Sequence, residues 1–117
     1  MEEFEFIKTR LRRFAKDRDW EQFHSPKNLS MALIAEAAEL IEHFQWLTEE
    51  QSYNLGADKL QEVSEEIADI QVYIILLSDK LGINLLEAVK NKMAINEQKY
   101  PVDKAKGNAK KYTELDD

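Results

Sequence analysis

Two pairs of acidic residues are the part of this sequence that could do chemistry: Glu36 with Glu39, and Glu66 with Asp69. Residues three apart share one face of an α-helix, so each pair would present two carboxylates on the same side. Two carboxylates ~4 Å apart repel by roughly 4 kcal/mol at an effective dielectric near 20, so a cluster of four needs cations or protons. Carboxylate oxygens without imidazole or thiolate suit hard ions, and open positions for water and phosphate favour Mg²⁺, with Mn²⁺ able to substitute.

Neither pair is specific by itself, because Glu-x-x-Glu occurs on many helices as solubilising charge. The case depends on both pairs lying on the same side of their helices. A di-iron carboxylate site would need Glu-x-x-His on two helices. Here Glu39 and His43 are four residues apart and His24 precedes the helix, so that site is excluded.

The second pair lies in a segment with helical periodicity. Between Leu60 and Leu81 apolar residues recur at alternating steps of three and four, which predicts a core-facing helix. They are Leu60, Val63, Ile67, Ile70, Ile74, Leu77 and Leu81. Glu66, Asp69 and Tyr73 fall on a neighbouring stripe, with Glu62, so the acids border the core. Asp is a poor residue within a helix, so a function is expected to keep Asp69 there.

The first pair lies in a second predicted helix with the same asymmetry. Ser25 is a plausible N-cap with Pro26 at the first helical position, and the helix is expected to end near Leu47. Its apolar stripe is Leu29, Leu33, Ala37, Leu40, Phe44 and Leu47, and its neighbouring stripe is Glu36, Glu39, His43 and Trp46. Antiparallel packing of the two helices would put all four carboxylates on one wall.

Other segments complete an all-α prediction. A first amphipathic helix is expected over residues 3–18, followed by an ordered loop whose aromatics we interpret as covering the core. Thr48-Glu49-Glu50-Gln51 fits a capping box, and Asp58 is expected to cap the central helix. A last helix should begin after Asn84 and end before Pro101. Residues 72–77 are apolar all round, which predicts self-association.

Composition limits the classes of protein. With 117 residues and 44% hydrophobic content, the chain is expected to form one domain, 1–117, with a polar, mobile tail over about 102–117. A net charge of −7 argues against binding a nucleic-acid polymer through its phosphates. There is no cysteine, and no apolar run approaches the ~20 residues of a membrane span. We therefore expect a cytoplasmic protein with no membrane partner.

The motifs resemble a known family. Ile34-Ala35-Glu36-Ala37-Ala38-Glu39-Leu40 and Glu66-Ile67-Ala68-Asp69 are similar to the MazG-type all-α nucleoside triphosphate pyrophosphohydrolases. Further segments are similar to the branch that includes the dCTP pyrophosphatases, and the resemblance covers about residues 6–115. These segments are Arg18 to His24, Phe44-Gln45-Trp46, Asn96 to Pro101, and Lys111-Tyr112-Thr113.

The resemblance implies a four-helix bundle that assembles as a dimer or a dimer of dimers, and it assigns roles to residues. The magnesium ligands would be Glu36, Glu39, Glu66 and Asp69. The residues around the nucleoside would be Trp20, Phe23, His24, Trp46 and Tyr73. The residues near the phosphates or the base would be Lys92, Asn96, Lys99 and Tyr100. Leu11 stands where related sequences can carry histidine, so the base preference is not transferred.

The expected reaction is Mg²⁺-dependent hydrolysis of a (deoxy)nucleoside triphosphate, dCTP or a related dNTP, to the monophosphate and pyrophosphate. Water activated by the metal would attack the α-phosphorus, and Glu39 or, second, Glu36 would accept its proton. Such an enzyme would serve house-cleaning or control of the nucleotide pool. Two alternatives stay open: a non-catalytic helical interaction module, and a metal-responsive protein that binds nucleotide without turnover.

Overall fold

The computed structural model describes residues 2–115, and every regular element in that part of the chain is helical, as predicted. Two short 3-10 helices, Glu21–Phe23 and Tyr112–Glu114, accompany six α-helices. The α-helices are α1 (Glu2–Asp17), α2 (Pro26–Glu42), α3 (Glu49–Ser52), α4 (Ala57–Lys80), α5 (Leu85–Lys99) and α6 (Val102–Ala105). The last two residues of the predicted tail, 116 and 117, lie outside the described residues.

Helix α2 begins where predicted but ends earlier. The Ser25 hydroxyl accepts a hydrogen bond from the backbone N–H of Asn28, and proline follows at the first helical position. The expected end near Leu47 is wrong, because the helix ends at Glu42 and the backbone continues in hydrogen-bonded turns. After these turns, Thr48 is extended and caps α3 through the predicted capping box with Gln51.

A glycine lies just outside each end of helix α4. Its N-cap is Gly56, so the predicted cap by Asp58 is wrong; Asp58 lies in the first turn, where its charge complements the helix dipole. After Lys80 the chain turns at Gly82, whose φ of +68° favours glycine. The N–H groups of Gly82 and Ile83 bond back to the carbonyls of residues 79 and 78, a Schellman motif that ends the helix.

The chain divides into two compact units, one running up to Ile83 and the other beginning at Asn84. In the first unit α4 packs chiefly against α2 and less extensively against α1. The α2–α4 pair is antiparallel, since His43, just after the end of α2, contacts Lys59, early in α4, while Glu36 shares a cavity wall with Asp69. This pairing places the acidic stripes of the two helices side by side.

Few side chains are fully buried in the first unit. The buried apolar residues are Ala15, Leu29, Val63 and Ile75. The predicted core stripe of α4 is only partly inside: Leu60, Ile67 and Leu81 are more than half exposed, whereas Glu66 is 9% exposed. The buried face of α4 is therefore shifted from the predicted apolar stripe towards the acidic stripe, because α2 packs on that side. Residues 72–77, expected to need a partner, are buried or half-buried within one chain.

The second unit consists of α5, α6 and the last 3-10 helix. None of the α5 residues, all of which are described, is fully buried. The Tyr100 and Tyr112 rings meet edge to face at 6.2 Å, and the Lys99 ammonium lies 4.4 Å from the centroid of the Tyr112 ring. These contacts hold the end of α5 against the following segment. In residues 2–115, no helix has the length and apolar character needed to cross a bilayer.

Candidate active site

The antiparallel α2–α4 pair brings three carboxylates together, which we call the carboxylate cluster: Glu36 and Glu39 from α2, and Glu66 from α4. One carboxylate oxygen from each lies within 4.8 Å of those of the other two. Glu39 is exposed, Glu36 is half-buried and Glu66 is buried. The cluster is therefore open to solvent on one side and closed by the helix pair on the other.

Mutual repulsion and burial raise the pKa of two members of the carboxylate cluster, Glu66 and Glu36. The pKa of Glu66 is raised to about 7, first because its carboxyl lies within hydrogen-bonding reach of Glu39, and then by burial and the charge of Glu36. Burial raises the pKa of Glu36, and the neighbouring Glu39 and Asp69 carboxylates add to it. A divalent cation would remove this repulsion, because it stabilises the ionised form of every member.

The cluster fits a hard cation in two respects. Glu36 Oε2 is buried and has no hydrogen-bond partner among the described residues, so a bound cation would supply the partner that this atom lacks. The three donors are all carboxylates, without histidine or cysteine, and such donor sets suit Mg²⁺ or Mn²⁺. The four predicted metal ligands are thus three cluster members and Asp69, which is exposed one turn further along α4.

Asp69 links the cluster to a cavity of about 310 Å³, which we call the aromatic cavity. Its polar wall comprises His24, Glu36, Asp69 and Tyr73; its remaining wall comprises Leu11, Phe14, Ala15, Trp20, Val72 and Leu76. This volume is at the lower end of the range for small-molecule pockets, about 300–1,000 Å³. A flat ring held between the aromatic and aliphatic side chains would extend its polar substituents towards the carboxylates.

Trp20 forms one side of the aromatic cavity. Its indole packs edge to face against Phe14, with centroids 5.6 Å apart, and against His24 at 6.4 Å. Because Trp20 is 44% exposed, it does not cover the core as we interpreted it from the sequence. Phe23 is exposed too, so the same interpretation is wrong for it. Trp20 instead presents ring surface to the space beside the carboxylates.

The predicted site residues have different surroundings. Trp20, His24 and Tyr73 line the aromatic cavity, whereas Phe23 and Trp46, 59% and 86% exposed, are not part of its described lining. The other four predicted residues lie in the second unit. There Lys92 and Asn96 are exposed, and Lys99 and Tyr100 make the contacts to Tyr112 described above.

Sequence reasoning missed part of the cavity wall. Phe14 of α1 received no role in the site, and Val72 and Leu76 of α4 were expected to contribute to self-association. All three line the cavity together with Leu11, the position that related sequences can fill with histidine near the nucleotide. A signal was present: Leu11 and Phe14 share a helical face that leads directly into the aromatic loop at Trp20. Packing residues and pocket residues have the same apolar pattern, so spacing alone does not separate them.

The fold and the site together define a helical protein with a carboxylate cluster beside an aromatic cavity, and comparison with known families agrees. The chain belongs to the MazG-like family, whose model matches residues 32–115.

Similar proteins carry more specific names. The chain is 41% identical over 104 residues to dCTP pyrophosphatase 1 of Homo sapiens and 42% identical to that of Mus musculus, in each case over 87% of this chain. It spans 61% of the length of those relatives. Among solved structures, a pyrophosphatase from Archaeoglobus fulgidus is 43% identical with a TM-score of 0.79, over 83% of this chain and 91% of that one.

Proposed function

We propose that this protein hydrolyses nucleoside triphosphates, with dCTP or a related deoxynucleotide as substrate, to the monophosphate and pyrophosphate. The observation that carries the proposal is the position of three carboxylates within 4.8 Å of one another, next to an aromatic cavity that Glu36 and Asp69 also line. A cation site next to a flat, apolar pocket suits a ligand with a phosphate chain and a base. The names of the similar proteins support this reaction and point to dCTP.

The carboxylates have two roles in this proposal. Mg²⁺ would be held by Glu36, Glu39, Glu66 and Asp69. When bound, it would neutralise charge on the phosphates and make water more acidic. Glu39, or second Glu36, accepts a proton from the water that attacks the α-phosphorus. The new bond joins the water oxygen to that phosphorus, and the bond to the bridging oxygen breaks, so that pyrophosphate leaves. The exposure of Glu39 supports its choice, because solvent can carry the proton away.

The aromatic cavity holds the nucleoside. Trp20 and Tyr73 offer ring faces for stacking, and His24 is the nearby side chain with hydrogen-bonding nitrogens. The family resemblance also assigns Phe23 and Trp46 to the surroundings of the nucleoside. The resemblance likewise assigns the α5 residues to the phosphates or the base: Lys92, Asn96, Lys99 and Tyr100.

We also propose that residues 1–117 act as one domain, with the four long helices forming a bundle that self-associates as a dimer or tetramer. Exposed apolar side chains on α2 and α4 support self-association, since Ile34, Ile41 and Ile67 are each more than half exposed. The cytoplasm, where free nucleoside triphosphates are used, is the proposed location. No nucleic-acid polymer or membrane is assigned as a partner.

The test is release of pyrophosphate from a panel of canonical deoxy- and ribonucleoside triphosphates, with and without Mg²⁺. We expect dCTP to rank among the best substrates and chelation to abolish turnover. Glu39→Ala and Asp69→Ala should be folded and inactive, with Glu42→Ala, an exposed glutamate on the same helix, as the matched active control. Binding without turnover would favour a nucleotide sensor, and neither binding nor turnover would favour an interaction module.

A further inference from the structure

A second group of charged and polar side chains lies along the α2–α4 pair beyond the carboxylate cluster. The Lys59 ammonium is 3.3 Å from His43 Nδ1 and 3.4 Å from Glu62 Oε2. The side chain of Lys59 is 47% exposed and that of His43 is 20% exposed. This group joins the two helices at the end opposite the aromatic cavity.

The order of these groups along α4 is fixed by helical geometry. Tyr73, Asp69, Glu66, Glu62 and Lys59 recur at steps of three and four, so they share one face. With a rise of 1.5 Å per residue, Lys59 lies about 10 Å from Glu66 along the helix axis. The face therefore presents, in order, an aromatic cavity, a set of carboxylates and a cation.

A nucleoside triphosphate has its parts in the same order. With the base in the aromatic cavity and the α-phosphate at the carboxylate cluster, the β- and γ-phosphates extend towards Lys59. On this basis, which rests on the proposed function, we infer that Lys59, with His43 beside it, binds the pyrophosphate that leaves. Here the cation acts on the part of the substrate that gains negative charge as the bond breaks.

The chemistry of the pair suits this role. A lysine ammonium has three donors on a flexible stem, and contacts to His43 and Glu62 occupy two of them. A neutral imidazole that accepts a hydrogen bond at Nδ1 carries its proton on Nε2, which makes His43 a second donor. The described lining of the aromatic cavity contains neither lysine nor arginine, so the cavity itself offers no lysine or arginine to the phosphates.

The competing possibility is that Lys59 only pairs with Glu62 and His43 to join the helices. Inhibition by the two products separates these roles. Pyrophosphate would bind at the Lys59 end of this face of α4, whereas dCMP would bind in the aromatic cavity and at the carboxylate cluster. A residue that only joins the helices would affect both inhibitors or neither.

The experiment measures kcat and KM for dCTP with Mg²⁺, and inhibition by pyrophosphate and by dCMP, in wild type, Lys59→Met and Lys59→Arg. Lys80→Met is the control at the other end of α4. We expect Lys59→Met to lower kcat/KM and to weaken pyrophosphate inhibition by about tenfold to a hundredfold, the effect of one lost hydrogen bond to a charged group. Inhibition by dCMP should not change, Lys59→Arg should recover most of the activity, and Lys80→Met should match wild type.

A further variant tests the inference without removing the lysine. Glu62→Gln neutralises the carboxylate that competes for Lys59, so pyrophosphate inhibition should become severalfold stronger. Unchanged pyrophosphate inhibition in Lys59→Met, or equal weakening of inhibition by dCMP, would overturn the inference while leaving the proposed reaction intact. A wild-type protein without turnover would overturn the proposed function and this inference together.

Discussion

At the scale of single residues, Glu66 shows how a site is built at the expense of stability. The residue is 9% exposed, more buried than the neighbouring Ile67, and its carboxylate lies near those of Glu36 and Glu39 on the opposite helix. Burial of a carboxylate beside two others disfavours its charged form. The residue is therefore better suited to a cation than to the packing of an ion-free core.

Removing this charge should separate stability from activity. We expect Glu66→Gln to raise the thermal stability of the metal-free protein, because the amide keeps the shape and removes the repulsion. Stabilisation by added Mg²⁺ should disappear, and dCTP hydrolysis should fall at least about a hundredfold. Thermal unfolding with and without Mg²⁺, together with an activity assay, measures both effects. The exposed neighbour variant Glu65→Gln should behave as wild type; an active Glu66→Gln would contradict the assignment.

The pKa of Glu66 predicts how the stability of the metal-free protein varies with pH. Its folded value of about 7 lies above the value of roughly 4.3 expected in the unfolded chain. Between these two pH values the folded state therefore binds more protons than the unfolded state. The stability that Glu66 contributes is fully present below pH ~4.3 and is lost as the pH rises through 7. Denaturant unfolding between pH 5 and 8, with chelator, should show this decline. The slope should be smaller in Glu66→Gln, and an equal slope would assign the effect to other groups.

At the scale of helices, much of the fold was predictable from local signals. Caps at Ser25, Thr48 and Asn84 depend on one side chain and nearby backbone groups, so their residues identify them. The end of α2 was not predictable from periodicity, because the apolar pattern continues through Phe44 and Leu47 in hydrogen-bonded turns. Which face of α4 is buried also required the structure, since that depends on where α2 packs.

The attachment of α1 depends on an ion pair that sequence spacing did not reveal. Arg12 Nε donates to Asp79 Oδ2 at 2.7 Å and a second guanidinium nitrogen donates to Oδ1, while Ala15 is the fully buried residue of α1. The guanidinium lowers the pKa of Asp79. Because α1 carries Leu11 and Phe14 into the cavity wall, this pair also holds that wall in place.

Breaking the pair should cost a small amount of stability. We expect Asp79→Asn to lower the free energy of unfolding by about 0.5–1 kcal/mol, since the partners are partly exposed but bidentate. The stabilisation exists above the unfolded pKa of about 3.9 and is lost as pH falls through the lower folded value. A double-mutant cycle with Arg12→Met measures the coupling between the two side chains. Full additivity of the two substitutions would show that the pair does not stabilise the fold.

At the scale of the whole molecule, the acidic half of the site was more predictable than the aromatic half. The carboxylates can be recognised by their residue type and their spacing on two helices. Because both helices carry them beside the apolar stripe, antiparallel packing was expected to bring them together. The cavity wall combines residues from α1, the loop after it and α4, so its composition depends on tertiary packing. Trp46, which the family resemblance places around the nucleoside, has a side chain that is 86% exposed, so its place in the site stays a prediction.

Exposed apolar side chains predict an oligomer. We expect sedimentation equilibrium to give a mass of two or four times the 13.7 kDa of one chain. Ile34→Lys, at a residue 68% exposed, should shift the assembly towards the monomer because a charge would have to be desolvated at the interface. Gln71→Lys, on an already polar exposed position of α4, is the control. A monomeric wild-type protein at all concentrations would contradict self-association.

In the proposed reaction, water attacks the α-phosphorus of a nucleoside triphosphate at the carboxylate cluster. The most direct measurement is hydrolysis of dCTP with Mg²⁺ in ¹⁸O-enriched water, followed by mass spectrometry of the products. We predict one ¹⁸O atom in dCMP and none in pyrophosphate, with no turnover in Asp69→Ala. Label in pyrophosphate would place the attack at the β-phosphorus, and dCDP with labelled inorganic phosphate would place it at the γ-phosphorus. Either result would rule out attack at the α-phosphorus.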